Sequence, residues 1–314
     1  MKRFVPTLLF IALPVYSLHA EGSAGQTGFE FLRIDVPARQ TALGGAFTAM
    51  DGDLNGLACN PASLAVIPKR EAAFSYADYF LDFQVGSVSF SSPLRNGGTL
   101  GLGIGYANYG EFNWTDEDGG PAGSSTPGDV AVTLAYAAGF TRTTRLGASV
   151  RYIRSSIQNF SADAAVIGAG IIHVFPSQQM TVGLAVVNLG KGLNGFRDRV
   201  EKVPTSIRAG FTKRLAHLPL LLSVDAIQYT GASESMLDNT EFAAGGEFTF
   251  SSVLIGRFGY TTIGSGQKTG PSGGRLSGVS LGAGLTVRNF RIDYGYGNHG
   301  MLGSVNHLGV SMTY

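Results

Sequence analysis

From residue 71 to the end of the chain, apolar side chains alternate with small or polar ones, one residue at a time. The stretch TLGLGIGYANYG, residues 99–110, places Leu100, Leu102 and Ile104 on one side of an extended strand and glycines on the other. A period of two is the spacing of a β-strand whose two faces have different surroundings. The pattern recurs at residues 130–136, 146–152, 182–186, 279–287, 290–296 and 308–314. The sequence therefore predicts an all-β chain of many two-faced strands.

The composition of the two faces indicates lipid on the outside. Charged residues make up only 14% of the chain, whereas soluble domains carry ~25%. The small face is rich in glycine and alanine, where the solvent face of a soluble sandwich would carry Lys, Glu and Thr. An apolar outer face with a small or polar inner face is the pattern of outer-membrane barrels. We expect a transmembrane β-barrel in the outer membrane of a diderm bacterium, covered by outer-membrane lipid.

The spacing of the segments predicts about 14 antiparallel strands, since a tilted membrane strand needs ~9–11 residues. Short connections are expected near residues 93–98, 141–145, 176–179, 216–219, 251–252 and 288–289, and long ones at 111–129, 190–204 and 262–274. Such barrels have short periplasmic turns and long external loops. Both ends of the barrel chain are therefore expected on the periplasmic side.

The first residues are typical of a secretory signal peptide. Lys2 and Arg3 precede an apolar run that is too short to span a membrane, and Ala20 ends it. We therefore expect a signal peptide at residues 1–20, an N-terminal plug or periplasmic segment at 21–70, and the transmembrane barrel at 71–314.

Several classes of function are disfavoured by the sequence. A net charge of +1 without a basic cluster argues against nucleic acid as a partner. A G-x-S-x-G match at residues 278–282 lies inside an alternating strand, whereas a nucleophile elbow needs a strand-to-helix turn. The histidines have no metal-ligand spacing, and the single cysteine, Cys59, permits no internal disulfide. We expect no enzyme activity, no metal and no other cofactor.

The segment ARQTALGGAFTAMDGDLNGLACNPASLA, residues 38–65, differs from everything after it. Asn60 followed by Pro61 predicts a helix start, because Asn caps free N–H groups and proline suits the first helical position. Gly44 and Gly45 permit a tight turn or a close backbone approach. We expect a folded plug or hook that contains a short helix and lies in or under the periplasmic mouth.

This opening resembles that of the PorV/PorQ family of FadL-like outer-membrane barrels, and it favours the PorQ-like branch. The resemblance continues to about residue 110. The residues that carry it are Phe31-Leu32, Ala38-Arg39, Leu43-Gly44-Gly45, Asp51, Asp53 and Asn60-Pro61-Ala62.

The resemblance implies an accessory component of type IX protein secretion, which moves folded cargo across the outer membrane and helps attach it to the surface. Other secretion components or surface proteins would then be partners. FadL itself is a distant relative in fold and passes long-chain fatty acids through a plugged lumen. The alternative is therefore an outer-membrane channel for long-chain fatty acids or other hydrophobic small molecules, and the fold does not choose between the two.

The predicted inner faces carry seven charged residues. Unpaired charges in a narrow lumen would be costly, so we expect them to pair with one another or with the plug. A polar gate for a permeating solute is the alternative. The residues are Arg151, Arg208, Asp225, Glu247, Arg257, Arg291 and Asp293.

Two further segments are candidates for contacts with other proteins. Phe112 and Trp114 stand beside acidic residues in the loop at 111–129, which is either a partner site or a solvated acidic loop. The final HLGVSMTY resembles the signal for the barrel-assembly machinery, with Gly309, Met312 and Tyr314 at its glycine, apolar and aromatic positions.

Overall fold

The structure is a computed structural model that describes residues 27–95, 97–116, 118–196, 200–230, 240–262 and 276–314. The predicted signal peptide at residues 1–20 lies outside the described residues. No helix within these ranges is long and apolar enough to cross a membrane.

Fourteen antiparallel strands close into one barrel, which confirms the predicted fold class. The first barrel strand pairs with the last, from Glu71 opposite Thr313 to Asp78 opposite Asn306. Two more strands, β4 and β5, form a separate hairpin. The strands are β1 (Glu71–Asp78), β2 (Gln84–Pro93), β3 (Thr99–Asn108), β4 (Phe112–Thr115), β5 (Pro121–Ser125), β6 (Gly128–Gly139), β7 (Thr144–Ile157), β8 (Phe160–Phe175), β9 (Met180–Gly192), β10 (Ser206–Arg214), β11 (Leu220–Tyr229), β12 (Thr240–Thr249), β13 (Leu254–Thr261), β14 (Val279–Val287), β15 (Phe290–Asn298) and β16 (Ser304–Thr313).

The alternation seen in the sequence corresponds to the two faces of the barrel wall. On β3, the side chains of Leu100, Leu102 and Ile104 are exposed on the outer surface. Gly101 and Gly103 on the same strand face the lumen. The same division holds along β6, β14 and β16. An apolar outer belt of this kind is the surface that lipid covers in membrane barrels.

One end of the barrel, called here the short-turn end, carries the connections 94–98, 140–143, 176–179, 215–219, 250–253 and 288–289. The long-loop end carries the remaining connections, but three of these are short, at 79–83, 158–159 and 299–303. The two-residue turn between β7 and β8 is not among the connections expected from the sequence. It requires a left-handed backbone at Gln158, φ 52°, and no glycine marks it.

The segment at residues 27–70, called here the plug, fills the lumen along its length. Its helical elements are a 3₁₀ turn at Glu30–Arg33, α1 at Ala38–Ala42, and 3₁₀ helices at Leu54–Ala58 and Pro61–Val66. Two further 3₁₀ turns, Pro176–Gln178 and Gly300–Leu302, lie in connections. At the long-loop end the N–H of Gly28 donates to the carbonyl of Lys202, 2.8 Å away. At the short-turn end the N–H of Tyr314 donates to the carbonyl of Arg70, 3.0 Å away.

The plug therefore reaches further than its predicted position in or under the periplasmic mouth. Phe29 and Phe31 pack at the long-loop end against small inner side chains such as Ala107 and Ala131. Small residues on the wall leave space that the two phenyl rings occupy. Burial of these rings holds the start of the plug at the far end of the lumen.

Replacing Leu134 by Arg tests the assignment of the outer face. The Leu134 side chain is 51% exposed on the outer belt of β6. We expect Leu134→Arg to destabilise the folded barrel by about 2–4 kcal/mol, because a charge near the middle of the bilayer must leave water. Unfolding by urea in lipid vesicles measures the change. The same replacement at Leu81, 94% exposed in the connection 79–83, is the control and should have little effect. Equal losses at both positions would show that the belt does not face lipid.

Candidate functional site

The plug backbone lies directly against the inner wall over half of the barrel. A methyl group added at any of ten wall glycines would come within 3 Å of a plug atom. Two of them, Gly101 and Gly103 on β3, would meet the plug side chains of Leu64 and Leu57. The other eight, called here the glycine seat, lie on β7 to β10 and β12 to β15. They are Gly147, Gly170, Gly183, Gly210, Gly245, Gly259, Gly282 and Gly295.

Hydrogen bonds fix the middle of the plug to the wall. The Asp225 carboxylate on β11 accepts from the backbone N–H groups of Phe47, at 2.9 Å, and Thr48, at 2.8 Å. The Ser223 hydroxyl donates to the carbonyl of Ala46 at 2.7 Å. Asp225 is thus bound to plug backbone and, among the described residues, has no arginine within 4.0 Å.

Asn60 and Pro61 start the last helical element of the plug, as the sequence predicts. The Asn60 side-chain oxygen accepts from the N–H of Ala62 at 3.1 Å and caps the 3₁₀ helix. Its amide nitrogen donates to the carbonyl of Thr48 at 2.7 Å. One side chain therefore joins two parts of the plug.

Arg39 on α1 connects the plug with the wall. Its Nε and Nη2 donate to the two carboxylate oxygens of Glu247 on β12, at 2.8 and 2.9 Å. Its Nη1 is hydrogen-bonded to Asp53, which also belongs to the plug. A bidentate contact of this type fixes both position and orientation.

Two wall arginines extend this cluster. Arg257 donates to Glu247 at 2.7 Å and to Asp293 at 2.7 Å. Arg291 donates to Asp293 at 2.9 Å and lies 3.6 Å from Asp53. Each of these cations contacts two carboxylates, which compensates for the loss of water around them.

The remaining residues of the family-like motif shape the plug. Gly44 and Gly45 both have left-handed backbones, with φ of 67° and 88°. A side chain at Gly44 would meet the backbone of Tyr260 on β13. Asp51 lies 3.7 Å from Arg145 near the short-turn end.

Arg151 and Arg208 depart from the expected ion pairing. Within the described part of the chain neither has a carboxylate oxygen within 4.0 Å. Arg151 donates from Nε to the Thr133 hydroxyl at 2.8 Å and from Nη1 to the side-chain amide oxygen of Asn188 at 2.6 Å. Among the residues that the structure describes, Arg208 donates from Nε alone, to Ser206 at 3.3 Å. These two cations therefore have neutral hydrogen-bond partners.

A cavity of about 100 Å³ lies between the plug and strands β2, β3, β6 and β7. Plug side chains such as Phe31, Ile34 and Leu57 line one side. Gly105 lines the wall, and an added methyl group there would meet no atom within 4 Å. The cavity thus occupies the side of the lumen where the plug does not press its backbone against the wall.

Aromatic rings lie above this cavity at the long-loop end. This mouth cluster consists of Tyr79, Phe80, Phe83, Tyr109 and His299. Phe83 and Tyr109 stack with ring centroids 4.8 Å apart, and Tyr79 lies 5.5 Å from Phe83. Burial lowers the pKa of His299, and burial together with the hydrogen bond to Asp129 raises the pKa of Tyr109. Both rings are therefore neutral near pH 7.

The other predicted contact sites lie on the β4–β5 hairpin and at the end of the chain, where Gly309 faces the plug residue Ala38. Phe112 is 51% exposed on the β4–β5 hairpin, and the Trp114 indole donates to Ser125 at 3.1 Å. Gly309 and Met312 are on β16, opposite Ser75 and Ala72 of β1. Tyr314 follows the strand and is exposed. Within the described ranges no cluster of three or more His, Cys, Asp or Glu side chains could hold a metal ion.

Comparison with known proteins adds two findings to this geometry. Residues 16–151, less than half of the chain, match an uncharacterised protein family, UPF0164. No curated protein matches the chain.

Solved structures resemble the chain over most of its length. A FadL homologue of Pseudomonas aeruginosa has 14% sequence identity and a TM-score of 0.59, covering 88% of this chain and 98% of the homologue. The toluene transporter TodX of Pseudomonas putida has 13% identity and a TM-score of 0.56, covering 88% and 95%. The monoaromatic hydrocarbon channel CymD has 12% identity and a TM-score of 0.55, covering 89% and 97%. At such identities the likeness establishes a shared fold, that of FadL-type outer-membrane barrels.

Filling the glycine seat should weaken the folded protein. At Gly183 an added side chain meets the backbone of Thr48 and Ala49, which cannot move without displacing the plug. We expect Gly183→Val to lower the free energy of unfolding by about 1–3 kcal/mol, measured by urea unfolding in detergent micelles. Gly105→Val is the matched control, because its new side chain enters open space. A Gly183 variant as stable as the control would show that the plug is not tightly seated.

Removing the charge of Arg39 should be costlier still. Arg39→Gln leaves the buried Asp53 and Glu247 carboxylates without one of their cations, and breaking such a buried pair costs about 3–5 kcal/mol. Arg95→Gln, at an exposed position of the turn 94–98, should be neutral in the same unfolding assay. If the two variants lose equal stability, the ion-pair cluster does not hold the plug.

Proposed function

We propose that this chain is an outer-membrane channel that admits hydrophobic small molecules past a fixed plug. The observation that carries the proposal is the apolar cavity on the free side of the plug. Ligand pockets of proteins are typically concave and mostly apolar, with a small number of polar groups. The cavity has this character.

The arrangement of the lumen supports a route on one side of the plug. The charged residues Arg39, Glu247 and Arg257 lie toward β12 and β13, where the glycine seat also holds the plug. Phe31 and Ile34, on the opposite side, contribute both to the cavity and to the apolar core against which the four Tyr and Phe rings of the mouth cluster pack. An apolar solute entering at the long-loop end would therefore meet aromatic and aliphatic surface until it reaches the cavity.

The similar structures point to the same class of solute. Two of them are described as a toluene transporter and a monoaromatic hydrocarbon channel. Their fold is the fold of this chain, although the fold alone does not determine the solute. The cavity and the mouth cluster are the features of this chain that agree with such a role.

A secretion role is the second candidate. The β4–β5 hairpin is outside the barrel sheet and exposes Phe112, an aromatic side chain of the kind enriched in protein interfaces. Together with the PorV/PorQ-like opening, this surface favours an accessory component of type IX secretion. Phe112→Ala combined with Trp114→Ala would then reduce the co-purification of a surface partner and the secretion of cargo without loss of the barrel.

Uptake of radiolabelled toluene by cells that carry the protein tests the channel. Cells without another hydrocarbon channel should accumulate toluene faster when the protein is present in their outer membrane. Gly105→Val should slow this uptake severalfold, because its side chain fills the cavity without disturbing a contact. Gly139→Val, exposed on β6 near the short-turn end, is the control. Uptake equal to that of cells without the protein would contradict the channel, and a secretion defect in the Phe112 and Trp114 variant would then favour the second candidate.

A further inference from the structure

We propose that the lumen cavity binds a small anionic amphiphile, an apolar body about the size of one aromatic ring that carries a carboxylate, and that Arg151 binds the carboxylate. This inference rests on the proposed function, since it names the class of hydrophobic molecule that the cavity takes. Three observations carry it: the neutral surroundings of Arg151, the charge of the cavity lining, and the cavity volume.

Arg151 is a cation without a counterion. Its Nε and Nη1 donate to the neutral side chains of Thr133 and Asn188, and within the described residues its Nη2 makes no hydrogen bond. By contrast, Arg39, Arg257 and Arg291 each contact two carboxylates. Arg151 is partly buried, and charges that lose contact with water are normally paired. The missing partner of Arg151 is the anionic group of a ligand.

Two wall residues hold the guanidinium of Arg151 in place at the edge of the cavity. Asn188 lies where the pairing of β8 and β9 shifts register, and its backbone is left-handed, with φ of 58°. The Asn188 amide also donates to the carbonyl of Pro204 at 3.4 Å, which orients its oxygen toward Arg151. A guanidinium held by two contacts is already ordered, so an anion that binds it loses less entropy.

The electrostatic surroundings favour a negative ligand. Arg151 is the sole charged residue among the described residues that line the cavity. The positive charge of Arg208 adds to the positive potential at Arg151. The Nη1 of Arg208 also has no hydrogen-bond partner among the described residues. Hydrogen bonds between a guanidinium and a carboxylate are among the strong ones, and they strengthen where water is excluded.

The volume limits the apolar part of the ligand. The cavity measures about 100 Å³, while an engineered apolar cavity of about 150 Å³ in another protein accommodates benzene. The cavity is the smaller of the two, so one ring or a chain of a few carbons is the largest apolar part that it can enclose beside Arg151. A long acyl chain would have to extend beyond the cavity.

The proposal can be tested with two matched probes. Equilibrium dialysis measures their binding to the purified protein in detergent. Benzoate and benzamide have the same ring and nearly the same shape, but only benzoate is charged. We expect benzoate to bind at least about tenfold more tightly, the value of one charged hydrogen bond. Arg151→Gln should abolish this preference and Arg151→Lys should retain part of it. Arg154→Gln, on the same strand but exposed, should leave it unchanged.

Two additional measurements keep the outcome decisive. Heat modifiability on gels shows whether each variant is folded. The second measurement is benzoate binding to Gly105→Val, a variant that narrows the cavity without touching Arg151. We expect weaker binding there, and this result does not require Arg151→Gln to fold. Equal affinities for benzoate and benzamide, or a preference that survives in Arg151→Gln, would overturn the anionic ligand. If dodecanoate binds more tightly than benzoate, and if Gly105→Val leaves its affinity unchanged, the size limit proposed for the ligand is wrong. In either case toluene uptake that depends on Gly105 would leave the proposed channel intact.

Discussion

The close approach of the plug backbone to glycines on the inner wall is the contact on which the rest of this structure depends. Barrels of about 8 strands are filled by their own inward side chains, whereas those of 16 or more leave an aqueous channel. A barrel of fourteen strands lies between these cases and needs an additional segment to exclude water. Glycines such as Gly183 and Gly259 allow that segment to lie with its backbone on the wall, and the hydrogen bonds and ion pairs then fix its position.

The same contact makes the lumen asymmetric. Because the glycine seat and the ion pairs of Arg39 hold the plug toward one side, the remaining free space collects near Gly105 on the other. The wall is thus divided into a side that retains the plug and a side that borders the cavity. A plug bound evenly around the barrel would leave no such cavity.

The sequence predicts the features that depend on local order. Alternation along β3 and β6 identifies strands and faces, and Asn60 with Pro61 identifies a helix start, because each signal is contained in neighbouring residues. The partners of the plug are not predictable in this way. Arg39 meets Glu247 across 208 positions of sequence, and no periodicity encodes that distance. The expected ion pair of Arg151 is wrong for a similar reason. Its neutral partner Asn188 is turned toward it by a register shift between two strands.

Glycine is a poor strand former, because it gives up more conformational freedom than other residues and has no side chain to pack. The described part of the inner wall nevertheless carries ten glycines in close contact with the plug. Without the plug these strands would keep the disadvantage and lose the contacts that compensate for it. The residues that make room for the plug therefore also make an empty barrel an unfavourable fold. A chain whose plug does not bind in the lumen would tend not to fold at all. Unplugged barrels, which would form open pores in the membrane, would then not accumulate.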